Sequence, residues 1–173
     1  MFKYLLKLLL PFFLLACTYT PETSQHQVKE LAGELWALDE RIPAEEARRL
    51  SQEIFLESAK LRKKFKPVSE PHFNNFLINI GMKEQGLCYQ WSDALYVHFR
   101  KSSYPHFDFH LLVSGQGKYF SEHNVLVVVA KGGNVMDGII IDPWRELGRV
   151  YFVKVKDDHG YKWKHRAQRG CLH

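Results

Sequence analysis

Val125-Leu126-Val127-Val128-Val129-Ala130, then Lys131-Gly132-Gly133-Asn134, then Ile139-Ile140-Ile141-Asp142: this stretch decides how the chain is read. A short apolar run rich in β-branched residues fits a buried strand, because such side chains are stiff at χ1 and pack well on a pleated surface. The glycine pair supplies a hairpin-type connection, and the second run is the returning strand. A two-residue loop turning about Gly132-Gly133 mirrors positions about its centre and sets His123 directly opposite Asp142. Their Cβ atoms would then lie roughly 4.5–5.5 Å apart, within reach of an imidazole–carboxylate hydrogen bond. A glycine-rich loop can bulge, and a slip of one residue would send the two side chains to opposite faces.

Outward from this hairpin the period-two signal continues. Phe107, Phe109 and Leu111 alternate with Asp108, His110 and Leu112, Gly115-Gln116-Gly117 marks a turn, and Val150 to Lys156 alternates as a further strand. Lys156-Asp157-Asp158-His159-Gly160 turns again before a basic, aromatic tail with Tyr161 and Trp163. Upstream the period changes to that of a helix. Val28 to Leu38 forms a short one, and a longer one follows Pro43. Glu45 and Glu46 sit in its first turn and Arg62, Lys63 and Lys64 in its last, matching the macrodipole. Ala47, Leu50, Ile54, Leu61 and Phe65 give it one apolar face. Pro67 and Pro71 separate it from a helix over about His72 to Ile80, stopped by Gly81. Cys88 to Arg100 is the next, with Trp91, Leu95 and Phe99 as its buried stripe. Helices first and antiparallel strands after them predict an α+β domain, the helices packed on the sheet, over residues 28–173.

The stretch Gly86-Leu87-Cys88-Tyr89-Gln90-Trp91 places a cysteine at a helix N-terminus. Unpaired N–H groups and the positive end of the macrodipole there favour thiolate over thiol. A free cysteine is also among the most buried residue types and often serves as a small hydrophobe. With His123 and Asp142 in register, the three residue types form a set that chemistry can use. A thiolate attacks an acyl carbon, a histidine shares its proton, and a carboxylate fixes the imidazole's tautomer. Asn124 is an alternative orienting residue, although as the neighbour of His123 on a strand it should face the other way. The backbone N–H of Cys88 is the natural oxyanion donor and the Gln85 side chain a second. Trp144 is placed either to shield the histidine–aspartate pair or to fill the core.

The first residues read as an address. Lys3 and Lys7 form a basic region and Leu8 to Leu15 an apolar core too short to span ~30 Å of hydrocarbon, which marks residues 1–16 as a signal peptide. Leu14-Leu15-Ala16-Cys17 resembles the bacterial lipobox. That resemblance implies cleavage before Cys17, its acylation (a palmitate-type lipid anchor), and a globular part facing the periplasm. Thr18, where an aspartate would signal inner-membrane retention, favours the outer membrane. Residues 17–27 read as a polar tether. The chain carries 24 basic and 19 acidic residues. Losing Lys3 and Lys7 leaves an excess of three, too small for a nucleic-acid footprint. With Cys17 lipidated, Cys88 and Cys171 remain, and in an oxidising compartment they can pair as a disulfide.

Gly-Leu-Cys-Tyr-Gln-Trp, Glu-His-Asn and Asp-Pro-Trp-Arg are similar to strings in transglutaminase-like bacterial proteins. The order cysteine, histidine, aspartate is that of papain-like and transglutaminase-like folds. The resemblance covers about Gly81 to Trp163. It implies Cys88 as nucleophile, His123 as base and acid, and Asp142 as its orienter, acting on a peptide or peptidoglycan-peptide amide by hydrolysis or transfer. The papain string Cys-Gly-Ser-Cys-Trp is absent. The reading from another class is a non-enzymatic lipoprotein on a degenerate fold of this kind, with Cys88 structural. No phosphate-binding glycine loop or cofactor motif is present. His106, Asp108 and His110 share a strand face, yet without a paired ligand motif the expectation is no metal.

Overall fold

A computed structural model describes residues 21–118 and 121–167. Residues 1–16, expected to be a signal peptide, Cys17 with residues 18–20, and Cys171 lie outside the described residues. Helix α1 spans Pro21–Trp36, α2 Ala44–Phe65, α3 Pro71–Asn79 and α4 Cys88–Phe99. Strands follow: β1 Phe107–Ser114, β2 His123–Ala130, β3 Ile139–Glu146, β4 Arg149–Lys154 and the two-residue β5 Lys164–His165. They form one antiparallel sheet in the order β4-β3-β2-β1-β5. The fold class is α+β, as the sequence predicts.

Helix α1 begins earlier than hydropathy suggests. Residues 21–27, expected in the tether, are helical, because proline is well suited to a first helical position and nothing up to Gln27 breaks the helix. Its buried Leu31 and Leu35 join Ala47, Leu50 and Ile54 of α2 and Leu95 and Phe99 of α4 against one sheet face, which carries Phe107, Leu126, Val128, Ile139 and Ile141. The other face packs Leu112, Val125, Val127, Val129 and Ile140 under Val155 and Trp163. Both faces of β2 are therefore covered, and all eight of its residues are buried. That explains why it reads as an unbroken apolar run instead of an alternating one. Each fully buried valine or isoleucine there contributes about 1.5–3 kcal/mol. Among the described residues no helix is long and apolar enough to cross a membrane.

The central hairpin departs from the expected two-residue loop. Its register is Val128↔Ile139, Val127↔Ile140 and Leu126↔Ile141, two residues away from the mirror about Gly132-Gly133. The connection runs from Lys131 to Gly138 and contains a 3₁₀ turn, Val135–Asp137, whose first N–H groups are capped by the Asn134 side chain (Met136 N–H to Oδ1, 2.9 Å). Asp108 fixes its other end by accepting from Gly132 N–H at 2.9 Å and Lys131 Nζ at 2.6 Å. Gly138 closes the loop where any Cβ would lie 2.5–2.6 Å from the methyls of Val127 and Val129. A shift of two keeps every side chain on its face. The correction therefore moves His123 and Asp142 from a direct to a diagonal pair without separating them.

Beyond Asp142, which still pairs with Tyr151, the β3–β4 register shifts before resuming at Glu146↔Arg149. Pro143 falls in this irregularity, where a residue without an N–H costs no ladder bond. The local bend re-aims Trp144 and Arg145.

Candidate active site

Three pieces of local structure place Cys88. Gly86 takes φ +123°, a conformation for glycine alone, and a Cβ there would come within 2.8 Å of Asn74 Nδ2. The Gly86 carbonyl accepts from Asn74 Nδ2 at 3.3 Å and from Trp91 Nε1 at 3.2 Å. The Gln90 side chain reaches back to accept from Gly86 N–H at 2.6 Å and Leu87 N–H at 3.0 Å. Together these lock the turn that enters α4. Cys88 is left at the first helical position, where its own N–H has no acceptor within the helix. Among the described residues its thiol has no disulfide partner, and Sγ lies 3.7 Å from the Glu122 carbonyl oxygen. It packs with Phe65, Trp91 and Trp144, yet lines a cleft of about 900 Å³ bounded by α3, the β1–β2 connection and residues 160–164. The disulfide partner considered for it, Cys171, lies outside the described residues.

The cleft floor holds the second group. His123, 3% exposed, is hydrogen-bonded through Nε2 to Asp142 Oδ2 at 2.6 Å, and Asp142 is 1% exposed. The other ring nitrogen, Nδ1, is buried with no hydrogen-bond partner. Cys88 is the neighbour that acts on this ring from the cleft side. Burial by itself would push the imidazole down, but the Asp142 carboxylate outweighs it. With a further contribution from Cys88, it lifts His123 from its ordinary 6.5 to about 9. Burial would likewise raise Asp142, and the charges of His123 and Arg145 reverse that and hold it below the usual carboxylate range. The pair is therefore imidazolium and carboxylate at neutral pH.

Asp142 is itself anchored. Arg145 donates to it from Nε (3.0 Å, to Oδ2) and from its backbone N–H (3.2 Å, to Oδ1). The same guanidinium bonds both oxygens of Asp158, at 3.3 and 3.0 Å, and lies 4.1 Å over the Tyr151 ring. Trp163 Nε1 also donates to Asp158, at 3.2 Å. Aromatic rings enclose the imidazole: Trp144 at 4.7 Å, Tyr161 at 4.9 Å and Trp163 at 5.7 Å between centroids. Trp144 is held in turn by Asn75 Oδ1 at 3.2 Å. It shields the ion pair and belongs to the apolar cluster around Cys88 as well.

The structure thus brings Cys88, His123 and Asp142 together. Gln85 is not among the residues lining the cleft, and the helix entry is bound by Gln90 instead. Cys88 itself lines the cleft, with its N–H at the first helical position. Asn124 does not orient His123. It is 1% exposed, donates to Glu122 Oε1 at 3.0 Å, and points the same amide at Cys88 Sγ from 3.8 Å. The three residues weighed for a metal have other partners: His106 bonds Glu46 at 2.6 Å, Asp108 bonds Lys131, and His110 packs against His165. Among the described residues no group of three or more histidine, cysteine or acidic side chains could hold a metal. A larger groove, about 1170 Å³, lies between α1, α2 and the β3–β4 turn. Its lining of Val28, Trp36, Phe55 and Leu56 offers apolar surface and no cysteine, serine or histidine.

Arg145, Asp158, Tyr161 and Trp163 carry no sequence signal that marks them as site residues. Arg145 stands in the Asp-Pro-Trp-Arg string, but only the β3 irregularity turns it back onto Asp142. No family model matches this chain, and neither a curated protein nor a solved structure does.

Proposed function

We propose that this chain is a cysteine-dependent acyl-transfer enzyme on a papain-like or transglutaminase-like core, cleaving or exchanging an amide in a peptide or cell-wall peptide. One observation carries the proposal. His123 has Nε2 committed to Asp142 while Nδ1, buried and unpartnered, stands beside a free thiol at a helix N-terminus. A purely structural histidine would satisfy both nitrogens.

The chemistry follows from that arrangement. The reactive state is an ion pair out of bulk water, in which Nδ1 of the imidazolium carries the proton of the Cys88 thiol and Sγ is a thiolate. The thiolate attacks the amide carbon, the C–S bond forms, and the carbonyl electron pair moves onto oxygen. The Cys88 N–H and the α4 dipole stabilise that oxyanion. Collapse breaks the C–N bond, and Nδ1–H protonates the departing amine. Water or a second amine then attacks the thioester carbon and gives its proton to Nδ1, and collapse breaks the C–S bond, releasing the acid or the new amide and restoring the Cys88 thiolate. Asp142, pinned by Arg145, holds the ring and its charge throughout without itself taking a proton.

Residues 1–17 support anchoring of this domain through acylated Cys17 in the cell envelope, facing the periplasm. Incorporation of labelled palmitate that disappears in Cys17→Ser tests the anchor. For the activity, the protein is incubated with peptide libraries and with purified peptidoglycan alongside Cys88→Ala. New amine termini or exchanged amides that require Cys88 support the reading. Identical products from both proteins count against it and favour a binding module.

A further inference from the structure

One wall of the Cys88 cleft carries positive charge that the protein itself leaves unneutralised. Lys118, from the β1–β2 connection, and Lys162 and Lys164, from the segment after Gly160, all line it and are exposed. None has an ion-pair partner among the described residues. Elsewhere Lys60 pairs with Glu57, Lys131 with Asp108, and Lys83 with the Phe65 and Lys66 carbonyls at 3.0 and 2.8 Å. Further exposed lysines such as Lys63 and Lys101 are also without an ion pair among the described residues; what sets these three apart is that they line one cleft. Glu122 is the one acidic side chain among the described residues lining the cleft. It is occupied on both oxygens, by Gly117 N–H at 2.9 Å and Asn124 Nδ2 at 3.0 Å.

These lysines are held in place by backbone. Lys162 N–H donates to Ser114 Oγ at 3.1 Å, and Lys164 pairs with Val113 in β5. In an extended segment alternate residues face opposite ways. Tyr161 and Trp163 stack at 4.9 Å and turn toward His123, which leaves Lys162 and Lys164 side by side at the cleft mouth. The cleft lining also carries uncharged amides, Asn75 and Asn79 from α3 and Gln116 from the β1–β2 connection, suited to a peptide backbone. Ammonium groups are point charges that tolerate varied geometry, unlike the planar fork of arginine. They suit carboxylates presented on a flexible chain.

We propose that the substrate of this cleft is an acidic peptide, with carboxylates within a residue or two of the amide that Cys88 attacks. The proposal rests on the acyl-transfer reading of the same cleft but is tested separately from it. Two end-blocked tetrapeptides, one all glutamate and the other its neutral all-glutamine counterpart, are bound to the Cys88→Ala protein. Their affinities are measured by calorimetry at low and high salt. The glutamate peptide is expected to bind about tenfold tighter or more at low salt, with the advantage shrinking as salt screens it. The preference should vanish in Lys118→Gln/Lys162→Gln/Lys164→Gln and persist when Lys60, Lys63 and Lys101 are changed instead. Equal affinity for the two peptides, no binding of either, or a preference that survives the cleft triple variant overturns the proposal.

A second readout uses Cys88 itself, as the ratio of its alkylation rates by anionic iodoacetate and neutral iodoacetamide. That ratio should fall about tenfold in the cleft triple variant, and an unchanged ratio also overturns the proposal. If Cys88 resists both reagents while the glutamate peptide binds as expected, the acyl-transfer reading fails and the anion-binding cleft stands. If Cys88 reacts readily and no charge preference exists, the reverse holds.

Discussion

Replacing Asp142 by asparagine removes one charge and almost no volume, so its consequences can be worked from the hydrogen bonds. Oδ2 accepts from His123 Nε2 and Arg145 Nε, and Oδ1 accepts from the Arg145 backbone N–H. An amide has a single acceptor oxygen, so either orientation sets its NH2 against a donor. If the NH2 faces His123, the ring must accept at Nε2 and carry its proton on Nδ1, the nitrogen needed to receive the thiol proton. If the oxygen faces His123, the NH2 meets the Arg145 N–H. The protonated imidazole loses its main support in both cases. His123 sits at about 9, against an ordinary 6.5. At about 1.4 kcal/mol per pH unit this is ~3 kcal/mol of stabilisation tied to the bound proton. A raised folded value contributes its full stability below the unfolded value of 6.5, and that contribution is lost as pH rises through about 9. The deficit of Asp142→Asn should therefore be larger at pH 5.5 than at pH 10 by about 3 kcal/mol, read from urea unfolding at the two values. A deficit of equal size at both would refute the claim that Asp142 acts on a charged imidazole. Amidase or transfer activity of the variant should fall by about two to four orders of magnitude.

Other outcomes follow from the same contacts. The rate of amide turnover should decline on the alkaline side with an apparent value near 9, as His123 loses the proton it gives to the leaving amine; a pH–rate profile flat to pH 10 would contradict this. Gly86→Ala combines a positive φ with a Cβ 2.8 Å from Asn74, and should destabilise by about 1–3 kcal/mol in thermal or urea unfolding. Because Gly86 sets the entry to α4, Cys88 alkylation should slow as well, and a change in stability with unaltered alkylation would detach the turn from the site. Trp144→Ala opens the imidazole to water and leaves Asn75 Oδ1 without its donor, so it should cost about 3–5 kcal/mol. It should also move the alkaline limb toward 6.5, which distinguishes shielding from simple packing.

The sequence carries the identity of the main elements because their signals are local. The Trp91, Leu95 and Phe99 stripe is buried as the helical period requires, each at 1% exposed or less. Strand β2 announces itself through continuous β-branching. Its pairing register does not, because the loop is set by contacts from outside the hairpin: Asp108 on Gly132, and the fit of Gly138 against Val127 and Val129. The convergence of His123 with Asp142 withstands that difference for a physical reason, since the side-chain period of two makes a two-residue slip harmless to facing. The support around the site is hidden for another reason. Arg145 and Asp158 meet through a β3 irregularity and a 3₁₀ turn, and Tyr161 and Trp163 return to His123 from a segment that reads as a tail. No local pattern encodes these approaches. Asn124 shows the limit of strand alternation. Facing away from Asp142 does not take it out of the site, because Cys88 comes in from the helix side of the sheet.

The central claim is that Cys88 and His123 share one proton through Nδ1, and NMR of the imidazole nitrogens across pH tests it most directly. The account predicts a His123 ring protonated on both nitrogens at pH 7 and titrating near 9. In Cys88→Ala, which removes a group that supports the charge, the midpoint should move down. A ring that titrates near 6.5, or one whose titration is the same with and without Cys88, would contradict it.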